Sequence, residues 1–128
     1  TIIANATGCL EVTTTAYPQS AWGLPWIHSL FENAAAIASG IKAALNQKKD
    51  KKTKVLVQAG DGGTYDIGLG LISGMWTRGE NIVYVCYDTE SYSDTGIQAS
   101  GSTPYGSATS TTPSGNKSFG SSQEKKIC

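Results

Sequence analysis

Lys54 to Ala59 (KVLVQA) is a nearly continuous apolar run rich in β-branched residues, and the cluster Gly60-Asp61-Gly62-Gly63 ends it abruptly. Such a run reads as a strand covered on both faces, a situation found in parallel sheets. Asp66 to Trp76 then has the spacing of an amphipathic helix closed by Gly79, and Asn81 to Tyr87 (NIVYVCY) reads as another buried strand. The order strand, glycine turn, helix, strand makes two parallel strands whose carboxyl ends open on the same edge of the sheet. The expected fold class is therefore α/β, a parallel sheet with flanking helices, and ligands of such sheets bind at that edge.

The rest of the chain fits around this unit. Thr1 to Ala6 reads as a short buried strand, clearest over Ile2 to Asn5 and broken by Thr7-Gly8-Cys9. A loop holding Tyr17-Pro18 and Gly23-Leu24-Pro25 follows. From Trp26 to about Leu45, apolar residues at Ile27, Leu30, Phe31, Ala34, Ile37, Ala38, Ile41 and Leu45 predict one helix with a face to bury. Lys48 to Lys52 reads as a solvated turn. Of the 23 residues from Ser100 to Ser122, 18 are Ser, Thr, Gly or Pro, a composition that predicts a flexible loop or linker, 100–122, within one domain spanning 1–128.

Composition narrows the function. Ten Lys and Arg balance ten Asp and Glu, which removes the basic excess that would point to nucleic acid or an acidic membrane surface. The apolar runs are far shorter than the roughly 20 residues of a membrane helix, so a cytoplasmic protein is expected. Cys9, Cys86 and Cys128 form no C-x-x-C pair, so neither a disulfide framework nor a self-contained zinc site is encoded. The first residue is Thr1, with no methionine, and the last is Cys128, just after a charged stretch; the expectation is a piece of a longer subunit.

The chemistry concentrates between Gly60 and Ser102. A glycine turn that opens a helix can bring backbone N–H groups to a phosphate. The dinucleotide pattern G-x-G-x-x-G fails at Tyr65, and no P-loop lysine follows. Asp61 sits between glycines instead, and a carboxylate beside a phosphate requires a cation, for which Mg²⁺ is the usual choice. Further ligands should come from the carboxyl end of the next parallel strand. There Thr89, 28 residues after Asp61, offers a hydroxyl, and the loop beyond it a backbone carbonyl.

GDGGTYDIGLG followed by YDTESYSDTGIQASGSTPYG, together with NATGCLEV and PWIHSLFENAAAIASG, resembles the thiamine-diphosphate-binding β subunit of 2-oxoacid:ferredoxin oxidoreductases, specifically pyruvate:ferredoxin oxidoreductase. The resemblance covers nearly the whole chain and implies a partial thiamine-diphosphate-binding fold. It implies oxidative decarboxylation of pyruvate to acetyl-CoA and CO₂ with CoA and ferredoxin, in an enzyme with α, γ and δ subunits. It further implies that the glutamate activating the cofactor lies on a partner subunit, so that a chain like this one is expected to be inactive without that partner. Asp61 matches the Mg²⁺ aspartate, Thr89 its side-chain partner, and Ser91 the donor of a main-chain oxygen; Gly60, Gly62 and Gly63 match the turn around the diphosphate. Cys9 matches a ligand of a [4Fe–4S] cluster whose other cysteines are absent here, and one thiolate cannot hold a cluster.

Asp94 stands where the family usually carries asparagine, near the oxoacid carboxylate. Either it is protonated, or it points away, or substrate handling differs. Phe31 matches a position near the cofactor's pyrimidine, and equally suits simple core. His28 suits packing or capping better than catalysis, Cys86 reads as an inert small hydrophobe, and Cys128 has no assignment. The rival readings are a non-catalytic phosphate- or nucleotide-binding module, and the same chemistry on another 2-oxoacid.

Overall fold

The computed structural model describes residues 1–16 and 22–117. Tyr17-Pro18, residues 118–122 of the Ser/Thr/Gly-rich loop and Cys128 lie outside the described residues. The elements run β1 (Ile2–Ala6), α1 (Cys9–Thr14), β2 (Trp26–Ser29), α2 (Ala34–Gln47), β3 (Val55–Gly60), a π-helical turn (Gly62–Asp66), α3 (Leu69–Thr77) and β4 (Val83–Tyr87). The strands form one sheet in the order β2-β1-β3-β4, and every neighbouring pair is parallel.

Alternation along the strands separates two faces. Ala4, Ala6, Val55, Val57 and Ala59 pack against Ala34, Ala38 and Leu45 of α2 in the main core. The alanines on both sides let helix and sheet approach closely, which is why this core needs few large side chains. Ile72 and Met75 of α3 form a second cluster with Ala35 of α2, so α3 leans on α2 as well as on the β4 side chain Tyr84. Gly79, at φ +62, ends α3 in the left-handed conformation that a C-terminal glycine tolerates. Among the described residues no helix is long and apolar enough to cross a membrane.

Four strands replace the expected three, because Trp26–Ser29 is a strand and not the start of a helix. Its register, Ile3 with Trp26 through Ala6 with Ser29, shows β1 supplying the hydrogen bonds that local helical spacing would otherwise have supplied. The apolar side chains that suggested a helix there, Ile27, Leu30 and Phe31, are largely exposed, and α2 begins only at Ala34. The second helix also departs from expectation: its first turn is the wide π-helical segment starting at Gly62, and α3 proper begins at Leu69. α1, unanticipated, follows the Thr7-Gly8 break. β3 is covered on both faces, whereas β4, paired on one side among the described residues, is less buried than the sequence suggested, with Val83 57% exposed because its face is left uncovered.

The described part of the Ser-rich segment, 100–117, is a web of hydrogen-bonded turns and not the linker that its composition suggests. Asn116 exchanges backbone bonds with Gly106 and Ser107, and its side-chain amide donates to the Thr103 carbonyl at 3.1 Å. Short hydroxyl side chains make such turns because they reach nearby backbone groups.

Candidate functional site

β1 and β3 lie side by side, yet the chain leaves them in opposite directions, β1 toward β2 and β3 toward β4. A reversal of this kind opens a crevice beyond the strands' carboxyl ends. A cavity of about 510 Å³ occupies it, lined by Thr7, Gly8 and Cys9 after β1, by Gly60 to Gly63 after β3, by Val12, Phe31 and Ile67, and by Tyr92, Asp94 and Thr95. Of the site residues expected from sequence, Cys9, Phe31, Gly60, Asp61, Gly62, Gly63 and Asp94 meet in this one cavity. Thr89 and Ser91 lie outside that lining, on the loop after β4.

The glycine turn is shaped by close approach. A Cβ on Gly63 would stand 2.8 Å from the Phe31 backbone oxygen, so only glycine lets the β2–α2 connection come this near. A Cβ on Gly68 would overlap the Gly63 carbonyl across the π-helical turn. Thr64 donates to the Gly60 carbonyl at 2.7 Å and Tyr84 to that of Gly63 at 3.3 Å, which holds the turn from beneath. Burial pushes the Tyr84 hydroxyl up to about 12, so it stays a donor at neutral pH.

Asp61 is 3% exposed, and among the described residues the Ser102 hydroxyl donates to its Oδ2 at 3.3 Å. Among the described residues Arg78 pairs with Glu80 and His28 Nε2 lies 3.7 Å from Glu11, so no described basic side chain neutralises Asp61. A carboxylate this buried and unneutralised is costly, and a cation beside it would remove the cost. On the loop after β4 the Thr89 hydroxyl donates to the Ser91 carbonyl with the two oxygens 2.9 Å apart. A carboxylate, a hydroxyl and a backbone carbonyl are all hard oxygen donors of the kind Mg²⁺ takes. These residues suit Mg²⁺. They do not suit an iron–sulfur cluster by themselves: Cys9 is half-buried at the cavity wall, and no group of three or more His, Cys, Asp and Glu among the described residues could hold a metal.

Several contacts were not legible in the sequence. Thr7 Oγ1 donates to the Ser29 carbonyl at 3.0 Å, and so accepts from His28 Nε2 at 2.8 Å. His28 thus braces the cavity wall, in keeping with a packing role. The Tyr92 hydroxyl donates to Asp66 at 2.5 Å; burial, and then this carboxylate, raise the phenol above its ordinary value. Each of these pairs joins residues more than twenty positions apart, beyond the reach of any local pattern. Cys86 is half-buried, and burial raises its thiol, in keeping with an inert side chain.

Comparison with known proteins places this geometry. Residues 6–127 match the family described as thiamine pyrophosphate enzyme, C-terminal TPP binding domain. The chain is 56% identical over 126 residues to the pyruvate synthase subunit PorB of Methanothermobacter thermautotrophicus, covering 98% of this chain and 44% of that protein. The subunit of the same name from Methanocaldococcus jannaschii is 54% identical over 133 residues, covering 98% and 45%. A solved 2-oxoglutarate:ferredoxin oxidoreductase from Magnetococcus marinus, with 2-oxoglutarate, coenzyme A and succinyl-CoA bound, superposes with a TM-score of 0.76 at 26% identity, covering 91% of this chain and 37% of that one. The chain spans less than half the length of these relatives. A glycine turn carrying a buried aspartate at the sheet's switch point, and a family match over nearly every residue, lead to one conclusion: the chain belongs to the thiamine pyrophosphate enzyme family, as its C-terminal TPP-binding domain.

Proposed function

We propose that this domain holds thiamine diphosphate through Mg²⁺ in a cytoplasmic oxidoreductase that converts pyruvate and CoA to acetyl-CoA and CO₂ and passes the electrons to ferredoxin. The observation that carries the reading is the buried, unneutralised Asp61 carboxylate inside the glycine turn of the switch-point cavity. Asp61, the Thr89 hydroxyl and the Ser91 carbonyl hold the metal, and the backbone around Gly60, Gly62 and Gly63 surrounds the diphosphate. Thiamine diphosphate, when bound, supplies the carbanion stabilisation that decarboxylation of a 2-oxoacid requires. The chain's own part is to bind, to orient and to exclude water. Phe31, which walls the cavity, would lie near the pyrimidine of the bound cofactor, and Asp94, also in the lining, would lie near the oxoacid.

The resemblance implies an activating glutamate on a partner subunit, so we infer that catalysis requires the partner subunits, with α, γ and δ as the companions. Cys9 contributes one thiolate to a [4Fe–4S] cluster whose other ligands come from elsewhere in the enzyme. Pyruvate is favoured over 2-oxoglutarate by identity: the relatives named pyruvate synthase are 56% and 54% identical, the 2-oxoglutarate enzyme 26%. The test is calorimetric titration of the complete apoenzyme with thiamine diphosphate, with Mg²⁺ and then with EDTA. Loss of binding in EDTA supports the metal-bridged site. Binding that survives EDTA would return the glycine turn to the rival reading of a bare phosphate nest.

A further inference from the structure

We propose that the Ser100–Thr103 turn is a positioning element that sets the spacing between the two halves of the metal site, with Ser102 holding Asp61 and Thr103 holding the loop of Thr89 and Ser91. The proposal rests on the metal-site reading above and adds to it residues outside the proposed ligand set.

Two hydroxyls on adjacent residues reach in two directions. The Ser102 hydroxyl donates to Asp61 Oδ2 at 3.3 Å, while the Thr103 hydroxyl donates to the Glu90 carbonyl at 2.6 Å. Glu90 is the residue between Thr89 and Ser91, and its φ of 59° is left-handed, a conformation that side-chain-bearing residues rarely adopt. Such a backbone persists only where its surroundings over-determine it. Here the Asp88 carboxylate accepts from the Glu90 N–H at 2.9 Å and Thr103 takes the carbonyl. The result is the 2.9 Å approach of Thr89 Oγ1 to the Ser91 oxygen.

Thr103 has no freedom to do otherwise. It is 2% exposed, its single hydroxyl proton goes to Glu90, and the same oxygen accepts from the Ser100 N–H at 2.8 Å. The turn is also pressed against the π-helical segment that carries the glycine turn. The Gly101 N–H donates to Asp66 Oδ2 at 2.9 Å, and a Cβ on Gly101 would overlap the Asp66 carboxylate. Any displacement of 100–103 would therefore move Asp61 and Glu90 relative to one another.

The experiment uses the complete apoenzyme and reads thiamine diphosphate binding by calorimetry while Mg²⁺ is varied. Ser102→Ala and Thr103→Val should each raise the Mg²⁺ concentration for half-maximal binding by about tenfold or more, the size expected for residues that orient metal ligands. Cofactor affinity at saturating Mg²⁺ and the ligand-free thermal midpoint should stay near wild type for Ser102→Ala, and Thr103→Ser should restore the wild-type Mg²⁺ dependence. Asp61→Asn separates the two ideas. If it abolishes metal-dependent binding while Ser102→Ala and Thr103→Val leave the Mg²⁺ dependence unchanged, the turn is no positioning element and the metal site stands. If Asp61→Asn binds like wild type, the metal-site reading falls, and this proposal with it. Should Thr103→Val fail to fold, Ser102→Ala decides alone.

Discussion

The Tyr92 ring lies against Gly62 so closely that a Cβ there would stand 2.6 Å from Cε1. The ring is held by its hydroxyl on Asp66, so it can yield only by breaking that bond. At Gly63 the obstacle is the Phe31 backbone oxygen at 2.8 Å, which cannot rotate away. Gly63→Ala should therefore destabilise the enzyme more than Gly62→Ala, with each costing about 1–3 kcal/mol. Denaturant midpoints of the two variants check the order, and the reverse ranking would show that the Phe31 connection moves freely.

Asp61→Ala removes the one acidic group that the cavity offers to a metal beside the glycine turn. In the complete enzyme it should abolish Mg²⁺-dependent thiamine diphosphate binding, leaving the diphosphate charge uncompensated. Calorimetric titration with cofactor and Mg²⁺ measures this. Wild-type affinity in the variant would remove Asp61 from the site.

Asp94 and Thr95 project from a small hairpin closed by the Tyr92–Gln98 bridge and by mutual bonds between Thr95 and Gln98, so Asp94 is held at the cavity. An ionised carboxylate there repels an oxoacid by about 1 kcal/mol across partly solvated space. Asp94→Asn should lower KM for pyruvate by about fivefold with a smaller change in kcat. Steady-state kinetics decide; an unchanged KM would mean that the side chain does not face the substrate.

Burial is the main cause that raises the Cys86 thiol, with the Asp88 and Asp61 charges acting the same way and hydrogen bonds from Thr64 and Tyr65 opposing. The thiolate is thus disfavoured, and Cys86 should resist alkylation at pH 8, reacting appreciably only above the ordinary thiol value of 9.0. Mass spectrometry of iodoacetamide-treated enzyme across pH 7–10 gives the profile. Rapid modification at pH 7 would contradict it.

The 128 residues expressed alone should be poorly soluble and inactive with pyruvate and CoA. β2 and β4 are both sheet edges, and Leu30 and Ile67 are each 63% exposed, so association between copies is favoured. A soluble monomer with a sharp thermal transition would overturn this expectation.

What the amino-acid order determined by itself was local. β3 and β4 were legible because a β-branched apolar run between glycine and charged turns has few other uses, and the Gly60–Gly63 cluster was legible as the turn that ends β3. The same locality misled at Trp26–Ser29, where helical spacing lost to parallel pairing with β1, and in 100–117, where a linker-like composition hid hydroxyl-to-backbone bonds. Tertiary structure alone decided that β1 lies beside β3, which brings Cys9 and Asp61, 52 positions apart in sequence, to one cavity. It also decided that Ser102 faces Asp61. Strand order and long-range hydrogen bonds depend on how separate segments satisfy one another's backbone and bury one another's faces, and no window along the chain contains both partners of such a contact.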